Sequence, residues 1–291
     1  MYATLNGLRL HYELEGQGIP CLTIRPIGSP ILERTLSSGL RRHLQFIFFD
    51  HRGSGASSGS QDDVTFESVL DDLETLRRAL GLPRVAVLGF SACGLFALEY
   101  AARHPERVSH VIGIGTGPLL GPEFDRARRT YWDSFASDER KAILRQNQER
   151  LTDEMLRSMS PSEAWIARYA ALGPMYWYDA TFDCSALYAG DRIEAALSDR
   201  LFGTVLPGRD VTPILPAIQA PVFLAHGRYD FAAPPTLWEG RADQLPRGEF
   251  RLFERSGHYP HYEEQEVFDA SLVDWLARHP ADDASSGSPE P

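Results

Sequence analysis

The sequence predicts an α/β fold in which helices flank a mostly parallel central sheet and a helical cap is inserted late in the chain. Two observations support this prediction. Short apolar runs, typical of strands buried on both faces, alternate with longer segments whose apolar residues recur every three or four positions. The alternation stops between about Leu119 and Thr212 and resumes at Val222. Strands that alternate with helices predict a parallel sheet covered on both sides.

The chain is expected to begin with a β-hairpin and then to enter the parallel sheet. Residues 2–15 contain two short alternating segments joined at Asn6-Gly7, a pair that tolerates the positive φ of a tight turn. Helical periodicity over Ile31 to Arg42, Phe66 to Leu80 and Ala92 to Arg103 separates the first four strands that follow. The six strands predicted after the hairpin are Pro20 to Ile24, Phe46 to Phe49, Val85 to Phe90, Val108 to Ile114, Val222 to Ala225 and Phe250 to Phe253.

These patterns divide the chain into three parts. We expect an α/β core made of residues 1–118 and 213–279, and a helical cap made of residues 119–212. Residues 280–291 are rich in Asp, Ser, Gly and Pro, so they bury too little apolar surface to offset the entropy of ordering and are predicted to be a disordered tail.

Composition limits the classes of function. The 291 residues are 43% hydrophobic, and the net charge of −11 provides no basic stripe for nucleic acid. No apolar stretch approaches membrane-spanning length, and the first ten residues alternate like a strand, so we expect a cytoplasmic protein without a membrane partner. The three cysteines form no cluster with zinc spacing, so no metal is expected. The chemistry that the motifs below indicate implies no organic cofactor. The oligomeric state is left open, a homo-oligomer included.

A candidate nucleophile lies where one buried strand turns into a helix. Ser91 directly follows the strand Val85 to Phe90, and the helix begins at Ala92. A serine at such a turn has strained backbone angles and needs small neighbours two positions before and after it. Gly89 meets this requirement, whereas Cys93 departs from the usual Gly-x-Ser-x-Gly pattern. The alternative is that Ser91 only caps the helix.

A serine needs a histidine as general base and a carboxylate that orients the histidine. The strand that begins at Val222 runs into a turn that ends at Asp230, and His258 follows the strand Phe250 to Phe253, with a helix over Pro234 to Leu245 predicted between them. Asp230 could instead cap that helix, and His258 could be a loop residue without a role. Two other histidines are less suitable: His261 is expected on a helix after Pro260, and His226 is expected to be structural.

The remaining site predictions concern the oxyanion hole and the substrate pocket. The backbone N–H of Ala92 is one expected oxyanion donor, and Ile27 is the candidate for the second because Pro26 has no N–H. Aromatic residues are frequent in the cap, where they either line a pocket or pack the cap against the core. The substrate contacts predicted are Phe90, Arg25 and the aromatic run Tyr176, Trp177 and Tyr178. This run follows the helix-breaking pair Gly173-Pro174.

Several of these motifs resemble the α/β-hydrolase superfamily, and its proline iminopeptidase-like branch in particular. The stretch Phe49-Asp50-His51-Arg52-Gly53-Ser54-Gly55-Ala56-Ser57 looks like that family's Asp-x-Arg-Gly-x-Gly-x-Ser loop. The stretch Gly257-His258-Tyr259-Pro260-His261-Tyr262-Glu263-Glu264 is similar to its Gly-His-x-Pro-x-x-Glu segment. The resemblance covers nearly the whole chain except the cap and the tail.

The resemblance also has departures. Iminopeptidases carry His-Gly-Gly-Pro-Gly where this chain has Arg25-Pro26-Ile27-Gly28-Ser29, so the oxyanion loop is rebuilt. Aminopeptidases of this branch are expected to bind the substrate ammonium through acidic cap residues, although such carboxylates are often only solvated. The available acidic residues are Glu163, Asp179, Asp183, Asp191 and Glu194.

The expected function is hydrolysis of an ester, lactone or amide bond of a small molecule through an acyl-enzyme, and the branch also implies an aminopeptidase-like activity. Two alternatives stay open from the sequence. One is a non-hydrolytic small-molecule binding protein on the same fold, and the other is carbon–carbon hydrolysis or perhydrolysis by the same triad.

Overall fold

A single eight-stranded sheet forms the centre of the molecule. The computed structural model describes residues 1–5 and 7–281. The strands are β1 Tyr2–Leu5, β2 Leu8–Glu15, β3 Ile19–Ile24, β4 Leu44–Phe49, β5 Val85–Phe90, β6 Val108–Ile114, β7 Val222–Gly227 and β8 Gly248–Phe253. Their order in the sheet is β1-β2-β4-β3-β5-β6-β7-β8. The first two pairings, β1 with β2 and β2 with β4, are antiparallel, and all others are parallel.

This sheet confirms the predicted fold class. The central strands β5, β6 and β7 are buried at every position, as expected for parallel strands covered by helices on both faces. The predicted hairpin is present as β1 and β2, although Asn6 of its turn lies outside the described residues. The α-helices are α1 Ile31–Thr35, α2 Phe66–Ala79, α3 Cys93–Arg103, α4 Pro122–Phe135, α5 Asp138–Arg150, α6 Asp153–Ser158, α7 Pro161–Ala171, α8 Gly173–Tyr176, α9 Ala195–Arg200, α10 Pro260–Glu263 and α11 Gln265–Arg278.

Shorter helical turns complete the structure. A π-helical turn covers Leu201–Val205. The 3₁₀ turns are Pro26–Gly28, Leu40–Arg42, Gln61–Asp63, Cys184–Tyr188, Thr212–Ala217, Pro235–Trp238 and Ala242–Gln244.

Two helices predicted from the sequence are broken in the structure. The helix predicted over Ile31 to Arg42 ends at Thr35, because Leu36 is extended and the Ser37 hydroxyl accepts from the N–H of Leu40 in place of a helical carbonyl. The helix predicted over Pro234 to Leu245 is wrong: only two 3₁₀ turns form there, separated at Gly240, whose φ of +68° is incompatible with a right-handed helix.

The chain between β6 and β7 contains six α-helices, α4 to α9, which we call the insertion. Its two ends meet in a short antiparallel contact, where Leu119 pairs with Asp210 and the Val211 N–H donates to the carbonyl of Pro118 at 2.9 Å. The chain therefore leaves the sheet region and returns to it at nearly the same point. A division into core and cap domains at residues 119 and 212 stays a prediction.

Two further predictions concern the membrane and the tail. Within residues 1–5 and 7–281, no helix combines the length and the apolar composition needed to cross a membrane. Residues 282–291 of the predicted disordered tail lie outside the described residues.

Candidate active site

Ser91 lies in a tight turn between β5 and α3. Its φ is +53°, in the left-handed region that non-glycine residues rarely adopt. Its N–H donates to the carbonyl of Ile114 at 2.8 Å, and its own carbonyl accepts from the N–H of Gly94 at 3.0 Å. These bonds fix the strained turn between the sheet and the start of α3. Such a turn exposes the hydroxyl at the N-terminus of a helix, where a developing negative charge is stabilised.

The structure explains why Cys93 is compatible with this turn. The crowded positions are Gly89 and Gly94: a Cβ on Gly89 would lie 2.4 Å from the Cα of Gly94, and a Cβ on Gly94 would lie 2.2 Å from the Thr116 hydroxyl oxygen. The close approach of α3 to the sheet thus requires glycine at residue 94 rather than at residue 93. Cys93 is buried and lines the cavity described below, and burial raises the pKa of its thiol to about 12, so the thiol stays protonated.

Asp230 and His258 form a buried hydrogen-bonded pair. The Nδ1 of His258 lies 2.7 Å from the Oδ2 of Asp230, and the exposed fractions of the two side chains are 2% and 0%. The other carboxylate oxygen of Asp230 accepts from the N–H groups of Ala232 at 3.0 Å and Ala233 at 2.8 Å. Because an ionised carboxylate only accepts, this contact assigns the imidazole proton to Nδ1 and leaves Nε2 as the acceptor.

The backbone around His258 is closely packed. The His258 N–H donates to the carbonyl of Tyr176 at 2.6 Å. Gly115, at φ +56°, faces the imidazole, and a Cβ there would lie 2.9 Å from Nδ1. The end of β6 and the insertion therefore both determine where the ring lies.

Glu263 ties the histidine loop to the insertion. One carboxylate oxygen accepts from the N–H of Tyr178 at 2.6 Å and the other from the N–H of Gly257 at 2.7 Å. Burial raises the pKa of Glu263 to about 7, against the smaller lowering effect of these backbone donors. Glu263 is therefore partly protonated near neutral pH in the folded protein.

Replacing Glu263 with glutamine should change how stability depends on pH. Between the ordinary glutamate pKa and about 7, the folded protein binds more protons than the unfolded chain, so the wild type loses stability as pH rises through this window. The variant cannot titrate there. The free energy of unfolding of Glu263→Gln, taken relative to that of the wild type, should therefore rise by on the order of 2 kcal/mol from pH 5 to pH 8. Urea unfolding of the variant and the wild type at pH 5 and at pH 8 measures this difference. The expectation is refuted if their free energies of unfolding differ by the same amount at both pH values, or if the exposed control Glu266→Gln shows the same trend.

Ile27 has a second strained backbone. Its φ and ψ are 45° and 36°, an outlier for a β-branched residue, and only Ser91 shares a positive φ among the non-glycine residues that the structure describes. Both residues line the same cavity. Strain of this kind costs on the order of 1–3 kcal/mol and concentrates at functional sites, which is consistent with the predicted oxyanion role of Ile27.

The structure places Arg25, a predicted substrate contact, away from the cavity. Arg25 does not line the cavity; its guanidinium is 6% exposed and is paired with Glu13, Glu33 and Asp50. The three carboxylates hold the guanidinium in place by ion pairing. Arg25 thereby fixes the start of the loop that carries Ile27.

Of the predicted aromatic contacts, Phe90 and Tyr176 line the cavity, whereas Trp177 and Tyr178 do not. Helix α8 ends at Tyr176 and Trp177 is extended, so successive side chains diverge. Trp177 is fully buried, and its ring is stacked on Tyr259 with centroids 4.3 Å apart. Tyr178 is exposed and packs edge-on against Tyr229. The structure therefore places Trp177 and Tyr178 outside the cavity, in contact with other aromatic rings.

The cavity has a volume of about 530 Å³ and lies between the sheet region and the insertion. Ser91, Ala92, Ile27 and His258 all line it, while Asp230 lies directly behind His258. Most of the remaining lining is aliphatic or aromatic, with contributions from α3, α4, α7 and the π-helical turn. Charged side chains in the lining are Asp125, Arg128 and Arg168. The site thus combines an apolar cavity of ligand size with a serine, a histidine and two strained backbone turns.

The other histidines and the acidic insertion residues lie elsewhere. His261 is on α10 and contacts the Thr35 hydroxyl at 2.9 Å, and burial lowers its pKa to about 3. His226 is buried beside Phe250, and burial lowers its pKa to about 4. None of the acidic residues weighed for ammonium binding lines the cavity. Each accepts a hydrogen bond from another group: Glu163 from Ser160, Asp179 from Thr181, Asp183 from Ser185, Asp191 from Arg34 and Ser29, and Glu194 from Gly55.

This chain is similar to proteins of the α/β-hydrolase fold. The sequence model of a family described as alpha/beta hydrolase fold matches residues 28–265. The AB hydrolase superfamily protein YclE of Bacillus subtilis is 31% identical over 275 residues, which cover 93% of this chain and 96% of that protein. The proline iminopeptidase PfmaB of Pestalotiopsis fici is 25% identical over 276 residues, covering 91% and 95% of the two chains. A solved esterase from Exiguobacterium antarcticum matches with a TM-score of 0.67 at 21% identity, covering 95% of this chain and 99% of that one.

These findings define a hydrolase of the α/β fold. The chain belongs to the α/β-hydrolase superfamily, and the resemblance to its proline iminopeptidase-like branch is confirmed, since proline iminopeptidases are among the relatives. Within the described residues, no group of three or more His, Cys, Asp or Glu side chains could bind a metal ion.

Proposed function

We propose that the protein is a serine hydrolase that cleaves an ester or lactone of an uncharged or weakly polar small molecule through an acyl-enzyme. The observation that carries this proposal is the convergence on one apolar cavity of Ser91, in a strained turn, and of His258, held by Asp230 at 2.7 Å. A serine hydroxyl becomes nucleophilic only when a positioned base removes its proton, and the unprotonated Nε2 is the base available in the cavity.

The reaction follows from these positions. Ser91 Oγ attacks the substrate carbonyl carbon while His258 Nε2 takes the hydroxyl proton, and Asp230 stabilises the imidazolium. The oxyanion is expected to accept from the N–H groups of Ala92 and Ile27. The bond to the leaving group breaks as His258 returns the proton to it. Water then attacks the acyl-enzyme with His258 again as base, which releases the acid and restores Ser91.

The cavity lining favours an ester or lactone over an aminoacyl substrate. Binding of a substrate ammonium needs an unpaired carboxylate, and the acidic residue in the lining, Asp125, is 3.7 Å from Arg128. Arg168 adds a further positive charge to the lining. An aminopeptidase-like activity of the kind named for PfmaB is thus the second candidate, supported by that relative but not by the charges of this cavity.

A substrate panel tests the chemistry. We expect the wild type to hydrolyse aryl esters of medium-chain acids and simple lactones with a kcat/KM at least about a hundredfold above that for the matching aminoacyl arylamides, a difference of about 3 kcal/mol in activation free energy. Ser271→Ala, on the surface of α11, serves as the control and should keep the wild-type ranking. Faster turnover of the arylamides would overturn the preference for esters.

A cytoplasmic location and a homo-oligomer stay predictions.

A further inference from the structure

Three tyrosine hydroxyls meet at one wall of the cavity. The hydroxyl oxygen of Tyr259 lies 2.7 Å from that of Tyr169 and 2.8 Å from that of Tyr188. We call these three residues the tyrosine cluster. They come from α7, from the 3₁₀ turn Cys184–Tyr188 and from the residue after His258, and all three line the cavity. The cluster therefore joins the insertion to the histidine loop inside the site.

Aromatic packing fixes the position of these hydroxyls. The Tyr259 ring lies between Trp177, at a centroid distance of 4.3 Å, and Phe90, at 4.8 Å. The ring of Tyr169 is stacked on Trp165 at 5.0 Å with an interplanar angle of 8°. Tyr188 and Tyr259 are only 3% and 1% exposed. Side chains held in this way lose little further entropy when a ligand binds.

A count of protons shows what the cluster can still bind. Each hydroxyl has one proton, and two hydrogen bonds join the three hydroxyls, so one proton has no acceptor within the cluster whichever way the bonds run. Burial raises the pKa of all three tyrosines, so all three stay protonated near neutral pH. A buried donor without an acceptor is costly, and a ligand oxygen that supplies the acceptor is correspondingly favoured.

We propose that the tyrosine cluster is a polar subsite that donates one hydrogen bond to an uncharged oxygen of the substrate, such as an ether, keto or hydroxyl oxygen, away from the bond that is cleaved. The hydrogen bonds of the cluster join neutral hydroxyls only, and an uncharged oxygen accepts from a neutral hydroxyl without the larger desolvation cost of a carboxylate. The inference rests on the proposed function and narrows its substrates to apolar esters or lactones with one additional oxygen.

Matched substrates isolate this hydrogen bond. In para-nitrophenyl methoxybutanoate an ether oxygen replaces one methylene of para-nitrophenyl hexanoate, and methoxyethyl and butyl hexanoate form the same pair on the alcohol side. The wild type should show a higher kcat/KM for the ether member of at least one pair. Tyr169→Phe, Tyr188→Phe and Tyr259→Phe each remove one hydroxyl of the cluster. The ratio should fall about three- to tenfold, the effect of one neutral hydrogen bond, in the variant that lacks the hydroxyl donating to the substrate, because the proton then left without an acceptor belongs to a hydroxyl at another position. The ratio cancels any difference in the amount of folded enzyme.

The control is Tyr262→Phe, because Tyr262 packs beside Trp177 and does not line the cavity. This variant should keep the wild-type ratios. For a readout that does not require turnover, hexanamide and methoxybutanamide are compared as protectants of Ser91 against a fluorophosphonate, and the cluster variant whose kcat/KM ratio falls should also lose the preference for the ether. Unchanged ratios in all three cluster variants would overturn the proposal. If Ser91 is labelled and esters are turned over, such a result overturns the subsite and leaves the serine hydrolase intact.

Discussion

Replacing Ser91 with alanine should lower kcat for every ester substrate by at least about 10⁴-fold, because the attacking oxygen is removed while the cavity is kept. Substrate binding should change little, since the hydroxyl contributes little to the apolar lining. Steady-state kinetics measure the loss of kcat, and circular dichroism checks that the variant is folded. A residual kcat within tenfold of the wild type would contradict the assignment of the nucleophile.

A companion variant separates catalysis from stability. Glycine adopts φ +53° without the steric cost that serine and alanine share, so Ser91→Gly should be more stable than Ser91→Ala by about 1 kcal/mol and equally inactive. Thermal unfolding of the two variants makes the comparison. Equal stability would mean that the backbone at Ser91 stores no strain.

Replacing Asp230 with asparagine should lower kcat/KM about 10³- to 10⁴-fold by changing the imidazole tautomer. The N–H groups of Ala232 and Ala233 both donate to Oδ1, so the side-chain oxygen of the asparagine must stay on that side and its NH₂ must face His258. His258 Nδ1 then becomes an acceptor, and the proton moves to Nε2, which can no longer accept from Ser91.

Asp269→Asn is the matched control for this substitution. Asp269 also accepts from a side-chain donor, the Ser37 hydroxyl, but it lies on α11 and does not contact His258. The control should keep activity within about twofold of the wild type. Activity of Asp230→Asn at the level of the control would show that Asp230 does not orient the base.

The positions of the three candidate triad residues follow from features that a sequence displays. Ser91, Asp230 and His258 each come just after an apolar run, and parallel strands bring their carboxyl ends to one edge of the sheet. Strand periodicity and burial are local properties, so β5 and β6 were predicted with the bounds that the structure has.

Side-chain directions in irregular segments could not be predicted in the same way. Arg25 was expected in the pocket, but its orientation depends on Glu13, Glu33 and Asp50, which are distant in sequence. Trp177 and Tyr178 follow the last turn of α8, where the backbone becomes extended and no periodicity relates neighbouring side chains. Tertiary contacts determine the direction of each.

The tyrosine cluster was missed for the same reason. In the sequence, Tyr169 and Tyr188 are only two of the many aromatic residues of the insertion, and Tyr259 is only part of the histidine segment. Their hydroxyls meet because the insertion folds over the histidine loop. The one local signal was the spacing of Trp165 and Tyr169, which places both on one face of α7 and stacks their rings.

The most direct test of the account is covalent labelling of the native protein by a fluorophosphonate, in which a bond forms from the serine oxygen to phosphorus and fluoride leaves. The account predicts a mass increase of one inhibitor group per chain, located by peptide mapping on Ser91, and no increase in Ser91→Ala. His258→Ala should slow labelling of Ser91 by at least about a hundredfold, because the hydroxyl loses its base. An unchanged mass of the wild type, or a label on any other residue, would contradict the claim that Ser91 is an activated nucleophile.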